Sequence, residues 1–591
     1  MLKRNSRTLL AAFLSLFLAV IPAMAAEGES SLIAWQGWTP DLFTKARSEN
    51  KLVILDLEAV WCHWCHVMDK TTYADPAVAK ILGDSYIAVK VDQDSRPDIS
   101  NRYEDYGWPA TIIFDSTGKE LAKLSGYIPP ERLTVMLQAF KDDPTPGPSA
   151  TAAKPSHGPR LSGDASTKQL EDLVVERYDK EFGGWGFVHK YLDPDNVEYT
   201  LRRGAAGDKV SAGMARTTLD NNRALIDPVW GGIYQYSVGG RWDSPHYEKI
   251  MYYQASNLRI YSYAYSASGK KTDLEAAKAI RSYLKNFLQS PEGAFYVSQD
   301  ADIVQGEHSD AYFKLSDKER RKAGIPIVDK HRYSRENGWA IEALCAYGAA
   351  SGDATAIDDA KRAADWIIVN RSIDGGGFRH DEKDPAGPYL GDTLAMARAF
   401  LSLYQVTADR RWLTLAEKSA GFMGQFKDAS AGFVTAKVND GQFASLPQRD
   451  ENIALARFAN LLSKYTGKAD QRGMADHAMK FVSPPEQAER APAGVLLALD
   501  ELKNDPPHVT VVGSKKDGGA QELFRTAVGT GVSGYRRVEW WDPSEGAPVN
   551  SDVTYPELEK PASFVCANGA CSLPFYDAKT LKKKISESVG G

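Results

Sequence analysis

The residues best suited to chemistry lie in one short stretch, WCHWCHVM, at positions 61–68. Cys62 and Cys65 are three residues apart, and each is followed by a histidine, His63 or His66. Two cysteines at this spacing can form a reversible disulfide. The same four side chains are soft or borderline ligands for a metal ion such as zinc. A static crosslink is the third interpretation, so the motif alone leaves redox, metal and structural roles open.

The segments around the motif predict how its sulfurs are positioned. Residues 51–60, KLVILDLEAV, form an apolar, branched run typical of a buried strand, and the CxxC motif follows directly. Later segments predict a second strand, a strand pair and a closing helix. The predicted order is therefore strand, CxxC helix, strand, hairpin and helix. In this order Cys62 lies near the N-terminus of a helix, which favours an attacking thiolate. Cys65, one turn further on, is the resolving thiol.

Three more residues suit disulfide exchange. Asp56 lies on the strand before the motif, where a buried carboxylate can move protons for Cys65. Lys90 lies on the next strand, and a cis bond before Pro109 is expected to bring backbone beside the sulfurs. In type and order these residues resemble the thioredoxin fold, over about residues 33–141.

The long middle of the chain, at 167–505, predicts repeated helical hairpins. Three stretches can be superposed, each from a tyrosine that ends one helix to a phenylalanine in a small-residue turn: Tyr265 to Phe295, Tyr347 to Phe378 and Tyr404 to Phe433. One hairpin cannot bury its apolar face alone, so neighbours must stack. The length suits a closed all-α ring of about six hairpins, an (α/α)6 toroid.

Composition separates the remaining segments. Residues 142–166 are rich in Pro, Gly, Ser and Ala, which predicts a linker, and 506–591 predict a small C-terminal α/β module. Cys566 and Cys571 in that module are expected to form a second disulfide, either as a static crosslink or as an electron acceptor for the first pair. Cys345, in an apolar helical stripe, is expected to be a buried apolar residue.

The first 25 residues predict export. A basic start, an apolar run from Leu9 to Ile21 and the small residues Ala23 and Ala25 form a cleavable signal peptide at 1–25. We expect a mature chain in a bacterial periplasm, with no later membrane span. Loss of the signal's three basic residues changes the net charge from −6 to −9. Because no long basic run remains, nucleic acid is not an expected partner.

Further motifs along the chain are DQDSRPDI at 92–99, HYEKIM at 246–251, QDADI at 299–303, Asn337-Gly338, Asp392 and CANGAC at 566–571. Together with WCHWCHVM, these segments resemble the spermatogenesis-associated protein 20-like family, in which a thioredoxin-like domain precedes a six-hairpin glycosidase-like ring. The resemblance covers nearly the whole mature chain and implies a thioredoxin-like domain at 26–141.

Rings of this kind also resemble glycoside hydrolases and N-acylglucosamine 2-epimerases, which use carboxylates or histidines at one mouth of the ring. The candidates for such a pocket are His246, Glu248, Asp300, Asp302, Asn337 and Asp392. A carboxylate pair can act as acid and base on a sugar. Each candidate also has a structural interpretation, such as a turn with Asx caps for the Asp-Ala-Asp segment.

The leading function is an exported thioredoxin-like thiol–disulfide oxidoreductase that acts on a thiol or disulfide protein partner. Its predicted catalytic residues are Cys62, Cys65, Asp56 and Pro109. No cofactor is predicted. The alternative is a carbohydrate-binding or sugar-active ring, epimerase-like or hydrolase-like, with an accessory CxxC domain. In that case the accessory domain is either redox-active or binds a metal through Cys62, His63, Cys65 and His66.

Overall fold

The computed structural model describes residues 31–147, 166–384, 386–437, 444–567 and 570–589. The predicted signal peptide and most of the predicted linker lie outside these residues. Within the described ranges, every helix is too short or too polar to cross a membrane.

A four-stranded mixed sheet with five helices forms the N-terminal domain. Its strands are β1 Leu52–Glu58, β2 Tyr86–Asp92, β3 Ala110–Phe114 and β4 Glu120–Ser125. Its helices are α1 Leu42–Glu49, α2 His63–Thr71, α3 Pro76–Ser85, α4 Pro97–Tyr103 and α5 Pro130–Asp142. The order is β2-β1-β3-β4, with β1 and β2 parallel and the other pairs antiparallel. Apolar clusters cover both faces, which explains the continuous apolar run of β1.

The middle of the chain is built from helices, with short strands in the turns between them. The helices are α6 Thr167–Glu176, α7 Pro194–Ala205, α8 Lys209–Asn222, α9 Met251–Ser268, α10 Lys271–Tyr283, α11 Asp310–Phe313, α12 Asp317–Ala323, α13 Ser334–Ser351, α14 Ala354–Arg371, α15 Leu390–Thr407, α16 Arg410–Met423, α17 Arg449–Thr466, α18 Ala469–Val482, α19 Pro485–Ala488 and α20 Pro492–Lys503. The strands are β5 Tyr236–Ser237, β6 Pro245–His246, β7 Lys249–Ile250, β8 Ser298–Gln299, β9 Val328–Asp329, β10 Ser372–Ile373 and β11 Gly377–Phe378.

Six of these helices contact one another in a closed cycle. The cycle runs α7, α9, α13, α15, α17, α20 and back to α7. Each member pairs with a further helix, in the same order α8, α10, α14, α16, α18 and α6. Because α6, the first helix of the ring, packs on α20, the last, the ring closes. The predicted six-hairpin toroid is confirmed.

Four of the six helices in this cycle end in the same way. Helices α9, α13, α15 and α17 are each 18 residues long. Each is followed by a residue in the left-handed conformation, namely Gly269, Gly352, Ala408 and Gly467. This conformation lets the backbone N–H of the capping residue bond back to the last turn and stops the helix. The repeated small polar turns in the sequence are these caps.

The C-terminal module has the same strand order as the N-terminal domain. Its elements are β12 His508–Val512, α21 Gly518–Gly529, β13 Arg537–Trp541, β14 Ala562–Ala567, β15 Ala570–Cys571 and α22 Ala578–Val589. The order β13-β12-β14-β15 has one parallel pair, β12 with β13, and is otherwise antiparallel. The module packs against α13, α15 and α17 of the ring. The predicted boundary at 505 falls between α20 and β12, and the boundaries stay predictions.

Candidate redox site between the N-terminal domain and the ring

Cys62 and Cys65 form a disulfide at the start of α2. Cys62 is the N-cap of this helix, and its Sγ accepts a hydrogen bond from the Cys65 N–H at 3.2 Å. In the dithiol form, this N–H and the helix N-terminus favour a thiolate on Cys62. The Trp108–Pro109 peptide bond is cis, which is the geometry expected from the sequence, and Trp108 packs beside the cysteines. The parts needed for disulfide exchange therefore meet at one end of the sheet.

The ring covers both sulfurs. Cys62 is 4% exposed and Cys65 is 2% exposed. Both lie in an apolar cluster with Trp61 and with Ile250, which precedes α9 of the ring. Trp64, between the cysteines, is 40% exposed. A folded protein partner therefore cannot reach Cys62 while the domain and the ring stay in this contact.

Both histidines of the motif contact the Asp-Ala-Asp segment of the ring. The His63 Nδ1–H donates to Asp302, 2.8 Å from Oδ1 and 3.0 Å from Oδ2. His66 Nδ1 lies 3.3 Å from Oδ2 of Asp302 and 3.8 Å from Oδ2 of Asp300. The other ring nitrogen of His66, Nε2, donates to the Val60 carbonyl at 3.1 Å. Two residues predicted for a sugar pocket thus lie against the redox motif.

The pKa values of the two carboxyl groups of this segment are shifted in opposite directions. Burial alone would raise the pKa of Asp302, but the hydrogen bonds from His63 and His66 hold it well below its usual range. Burial raises the pKa of Asp300 to about 7. Burial would lower the pKa of His66, but the hydrogen bond to Asp302 and the charge of Asp300 outweigh it and raise the pKa. The charged form of Asp302 therefore favours the protonated form of His66, and the hydrogen bond from His66 in turn favours the charged form of Asp302.

Asp56 has the properties of a proton carrier. It is buried on β1, the strand that leads into the motif, 3.6 Å from the Lys90 ammonium. Burial, followed by the charge of Glu58, raises the pKa of Asp56 to about 8. A carboxyl group with a pKa near neutrality can both accept and release a proton.

A second contact joins the domain to the ring through Asp94 and His380, neither of which was predicted as a site residue. The Trp61 indole N–H donates to Oδ2 of Asp94 at 2.8 Å, and His380 Nε2 donates to the Asp94 carbonyl at 2.6 Å. His380 Nδ1 donates to Oδ1 of Asp392 at 2.9 Å. Burial would lower the pKa of His380, but the charge of Asp392 outweighs it and raises the pKa to about 9. Asp94 lies in the segment DQDSRPDI, whose resemblance to the family was the one feature of the sequence that could have pointed to this contact.

Asn337 is engaged with the backbone. Its amide donates to the Phe295 carbonyl at 3.0 Å and accepts from the Phe295 N–H at 2.7 Å. Asn452 makes the same pair of bonds with Phe433 at the equivalent turn. The repetition identifies Asn337 as a turn-fixing residue of the hairpin repeat, because no polar atom of its amide stays free for a ligand.

A cavity of about 350 Å³ lies within the ring. Its lining is rich in charged and aromatic side chains, including Arg259, Arg335, Arg398, Arg457, Glu198, Glu342, Glu451, Tyr252, Tyr263 and Trp339. Asn101 of α4 also borders it, so the N-terminal domain contributes to its wall. The six predicted pocket residues do not line this cavity. His246, for example, stacks on Tyr236 with ring centroids 4.6 Å apart.

The four ligands of the metal alternative are not brought together. The two sulfurs are bonded to each other, and His63 and His66 both direct Nδ1 to Asp302. Among the described residues, groups that could hold one ion are instead His66 with Asp300 and Asp302, and Asp56 with Glu58 and Asp69. The sulfur-based set stays a prediction.

The other cysteines lie apart from this site. Cys566 and Cys571 form a disulfide between directly paired residues of β14 and β15. Cys345 is a buried free thiol on α13, and burial raises its pKa. An electron relay from the first pair to the second stays a prediction.

Comparisons with known proteins support a thioredoxin-like domain. Residues 24–142 match the family model Thioredox_DsbH, described as a protein of unknown function, DUF255. The thiol:disulfide interchange protein DsbD of Photorhabdus laumondii is 30% identical over 97 residues, which cover 16% of this chain and 17% of that protein.

A longer match extends beyond this domain. Spermatogenesis-associated protein 20 of Homo sapiens is 28% identical over 308 residues, which cover 46% of this chain and 39% of that protein. The match thus spans about two fifths of the relative's length. The cellobiose 2-epimerase structure from Spirochaeta thermophila has 11% identity and a TM-score of 0.44, over 56% of this chain and 93% of that chain. This chain therefore carries an N-terminal domain of the Thioredox_DsbH type and is similar to spermatogenesis-associated protein 20, as its motifs indicated.

Proposed function

We propose that this protein is a thiol–disulfide oxidoreductase in which the ring controls access to the reacting cysteines. The observation that carries the proposal is the position of the Cys62–Cys65 pair. It caps the start of α2, and the ring buries both sulfurs. The match to DsbD, whose name describes thiol:disulfide interchange, supports the same class of chemistry.

The reaction follows from the order of the two cysteines. The Cys62 thiolate attacks one sulfur of a substrate disulfide, and the other substrate sulfur leaves as a thiolate. Asp56 takes the proton from Cys65, whose sulfur then attacks the Cys62 sulfur of the mixed disulfide. The second substrate thiolate leaves, and the Cys62–Cys65 disulfide remains. The reverse sequence oxidises a dithiol partner.

Burial of the sulfurs restricts the substrate. A small disulfide can approach from the side of the exposed Trp64, whereas a protein needs the domain and the ring to separate. The contact to be broken includes His63 with Asp302 and His380 with Asp94. Access to Cys62 is therefore set by the strength of this contact.

Turnover of oxidised glutathione in a coupled assay tests the proposal. We expect activity in the full chain, and loss of at least about 100-fold in Cys62→Ser, because the attacking sulfur is removed. Cys345→Ala is the matched control, since this buried thiol lies on α13, and it should keep full activity. Equal activity in Cys62→Ser and the full chain would refute the proposed function.

We also propose that the protein works in the periplasm. The basic, apolar and small-residue order of residues 1–25 supports export. N-terminal sequencing of the protein from an osmotic-shock fraction should begin at Ala26. Recovery of the uncleaved chain from the cytoplasm would contradict this proposal.

A second candidate function is carbohydrate binding in the ring cavity. The specific observation is a cavity that combines paired charges with Trp339 and Tyr252, because sugars stack on aromatic faces and hydrogen-bond to charged groups. Burial raises the pKa of Glu451 in this cavity to about 7, which suits a general acid. Sugar binding or turnover that survives Cys62→Ser but is lost in Glu451→Gln would establish it. Sugar binding and turnover that are unchanged in Glu451→Gln would exclude this second function.

A further inference from the structure

We propose a divalent metal site formed by His66, Asp300 and Asp302, at the contact between the CxxC helix and the ring. Ligand atoms of the three residues all lie within 4.8 Å of one another. His66 Nδ1 is 3.3 Å from Oδ2 of Asp302 and 3.8 Å from Oδ2 of Asp300. Donors about 2.0–2.2 Å from a tetrahedral ion lie about 3.3–3.6 Å apart, so the 3.3 Å separation suits a small ion and the 3.8 Å separation would have to shorten.

The groups around the three residues orient them as ligands. His66 donates from Nε2 to the Val60 carbonyl, which directs Nδ1 towards the two carboxylates. This is the usual arrangement of a metal-binding histidine, whose second nitrogen is fixed by a backbone carbonyl. Asp302 is fixed on both oxygens, by His63 Nδ1 at Oδ1 and by the Gly306 N–H at Oδ2, 2.7 Å away. His63 is thus a positioning residue for this site.

Asp300 supplies an independent observation. The residue is 1% exposed, and its Oδ1 accepts the Asp302 N–H at 3.1 Å. Its Oδ2 faces His66 and accepts no hydrogen bond from any described residue. A buried carboxylate oxygen without a partner is costly, and a bound cation would remove that cost.

The donor set selects the kind of ion. One imidazole and two carboxylates suit a first-row divalent cation, for which Zn²⁺ is the probe. Three protein ligands leave one tetrahedral position for a water molecule. A metal ion binds the unprotonated form of the imidazole Nδ1, so Zn²⁺ and protons compete for His66. Because the ligands come from α2 and from the ring, the ion would also strengthen their contact.

The first test uses the full chain after removal of metals with a chelator. Isothermal titration with Zn²⁺ should show one ion per chain, and Co²⁺ should give visible d–d bands without a thiolate charge-transfer band. Binding should persist in the double variant Cys62→Ser, Cys65→Ser. Absence of Zn²⁺ binding, or a thiolate charge-transfer band in the Co²⁺ spectrum, would overturn the proposed site.

The second test compares variants. His66→Gln and Asp300→Asn should each weaken Zn²⁺ binding at least about tenfold, because each removes a ligand. His331→Gln is the matched control, since the His331 ring bonds to Asp329 at 2.6 Å and is not one of the three ligands, so its loss should leave the affinity unchanged. Circular dichroism and Tm check that the variants are folded. Unchanged affinity in folded Asp300→Asn, or loss in His331→Gln, would contradict the proposal.

Discussion

The Nδ1–H of His63, inside the CxxC motif, donates to Oδ1 of Asp302 across 2.8 Å, although the two residues are 239 positions apart in the chain. Both side chains are buried at the contact between the N-terminal domain and the ring. The redox motif and the ring are therefore parts of one site. Any change that weakens this hydrogen bond is expected to change how readily the sulfurs react.

Substitution of Gly338 should test the tight packing of the inner ring. A Cβ at this position of α13 would lie 2.5 Å from the backbone carbon of Ala395 on α15. Gly338→Ala is therefore expected to destabilise the ring by about 1–3 kcal/mol. Urea unfolding followed by far-UV circular dichroism measures this change.

Gly213 provides the control for that experiment. It lies in α8, and a Cβ there meets nothing within 4 Å. Gly213→Ala should be neutral or stabilise by up to about 1 kcal/mol, because alanine favours the helix. Equal effects of the two substitutions would show that the α13–α15 contact is looser than the structure has it.

The buried charge cluster of Asp227 should be sensitive to neutralisation. Lys249 and Arg320 each donate to Oδ2 of Asp227 at 2.7 Å, and all three side chains are almost fully buried. Asp227→Asn leaves two buried cations without their counterion, so we expect a loss of about 3–5 kcal/mol. The exposed pair Asp358 and Lys361 serves as control, since Asp358→Asn should cost less than about 1 kcal/mol. A small effect at Asp227 would contradict this account of the cluster.

Asp56 should make stability depend on pH. Its pKa is raised to about 8 in the folded protein, against about 3.9 in an unfolded chain. Between these values the folded state holds a proton that the unfolded state has lost, so this contribution falls as pH rises from about 4 to about 8. Asp56→Asn removes this pH-dependent contribution to stability. The difference in Tm between the variant and the unsubstituted protein should therefore shift in favour of the variant as pH rises from about 4 to about 8. A difference in Tm between the two proteins that stays constant with pH would show that the pKa of Asp56 is not raised in the folded protein.

The same substitution should slow resolution of the mixed disulfide. Without a carboxylate to accept the Cys65 proton, attack on the Cys62 adduct should be at least about 100-fold slower at about pH 8, where a large share of Asp56 is ionised. Quenched-flow trapping with acid and mass spectrometry measures the lifetime of the adduct. A lifetime unchanged by Asp56→Asn would assign proton transfer to another group.

Local patterns predicted much of this fold. The apolar run of β1 and the Tyr-to-Phe repeats of the ring depend on neighbours in sequence, so strand and hairpin order could be derived. The contact of His63 with Asp302 could not be derived from the sequence, because the packing of one domain on another leaves no periodic pattern of apolar residues. The thioredoxin-like strand order of the C-terminal module was also missed, since β15 has only two residues and no CxxC motif accompanies the sheet.

The reactivity of Cys62 towards reagents of two sizes tests the central claim most directly. Reduced Cys65→Ser protein would be alkylated with N-ethylmaleimide and with a maleimide attached to a large polymer, with and without Asp302→Asn. We predict that the small reagent reacts with Cys62 much faster than the large one, and that Asp302→Asn accelerates the large reagent at least about tenfold, because the contact with His63 is weakened. Asp358→Asn, on the exposed surface of the ring, should change neither rate. Equal rates for both reagents in the protein with Asp302 intact would contradict control of access by the ring.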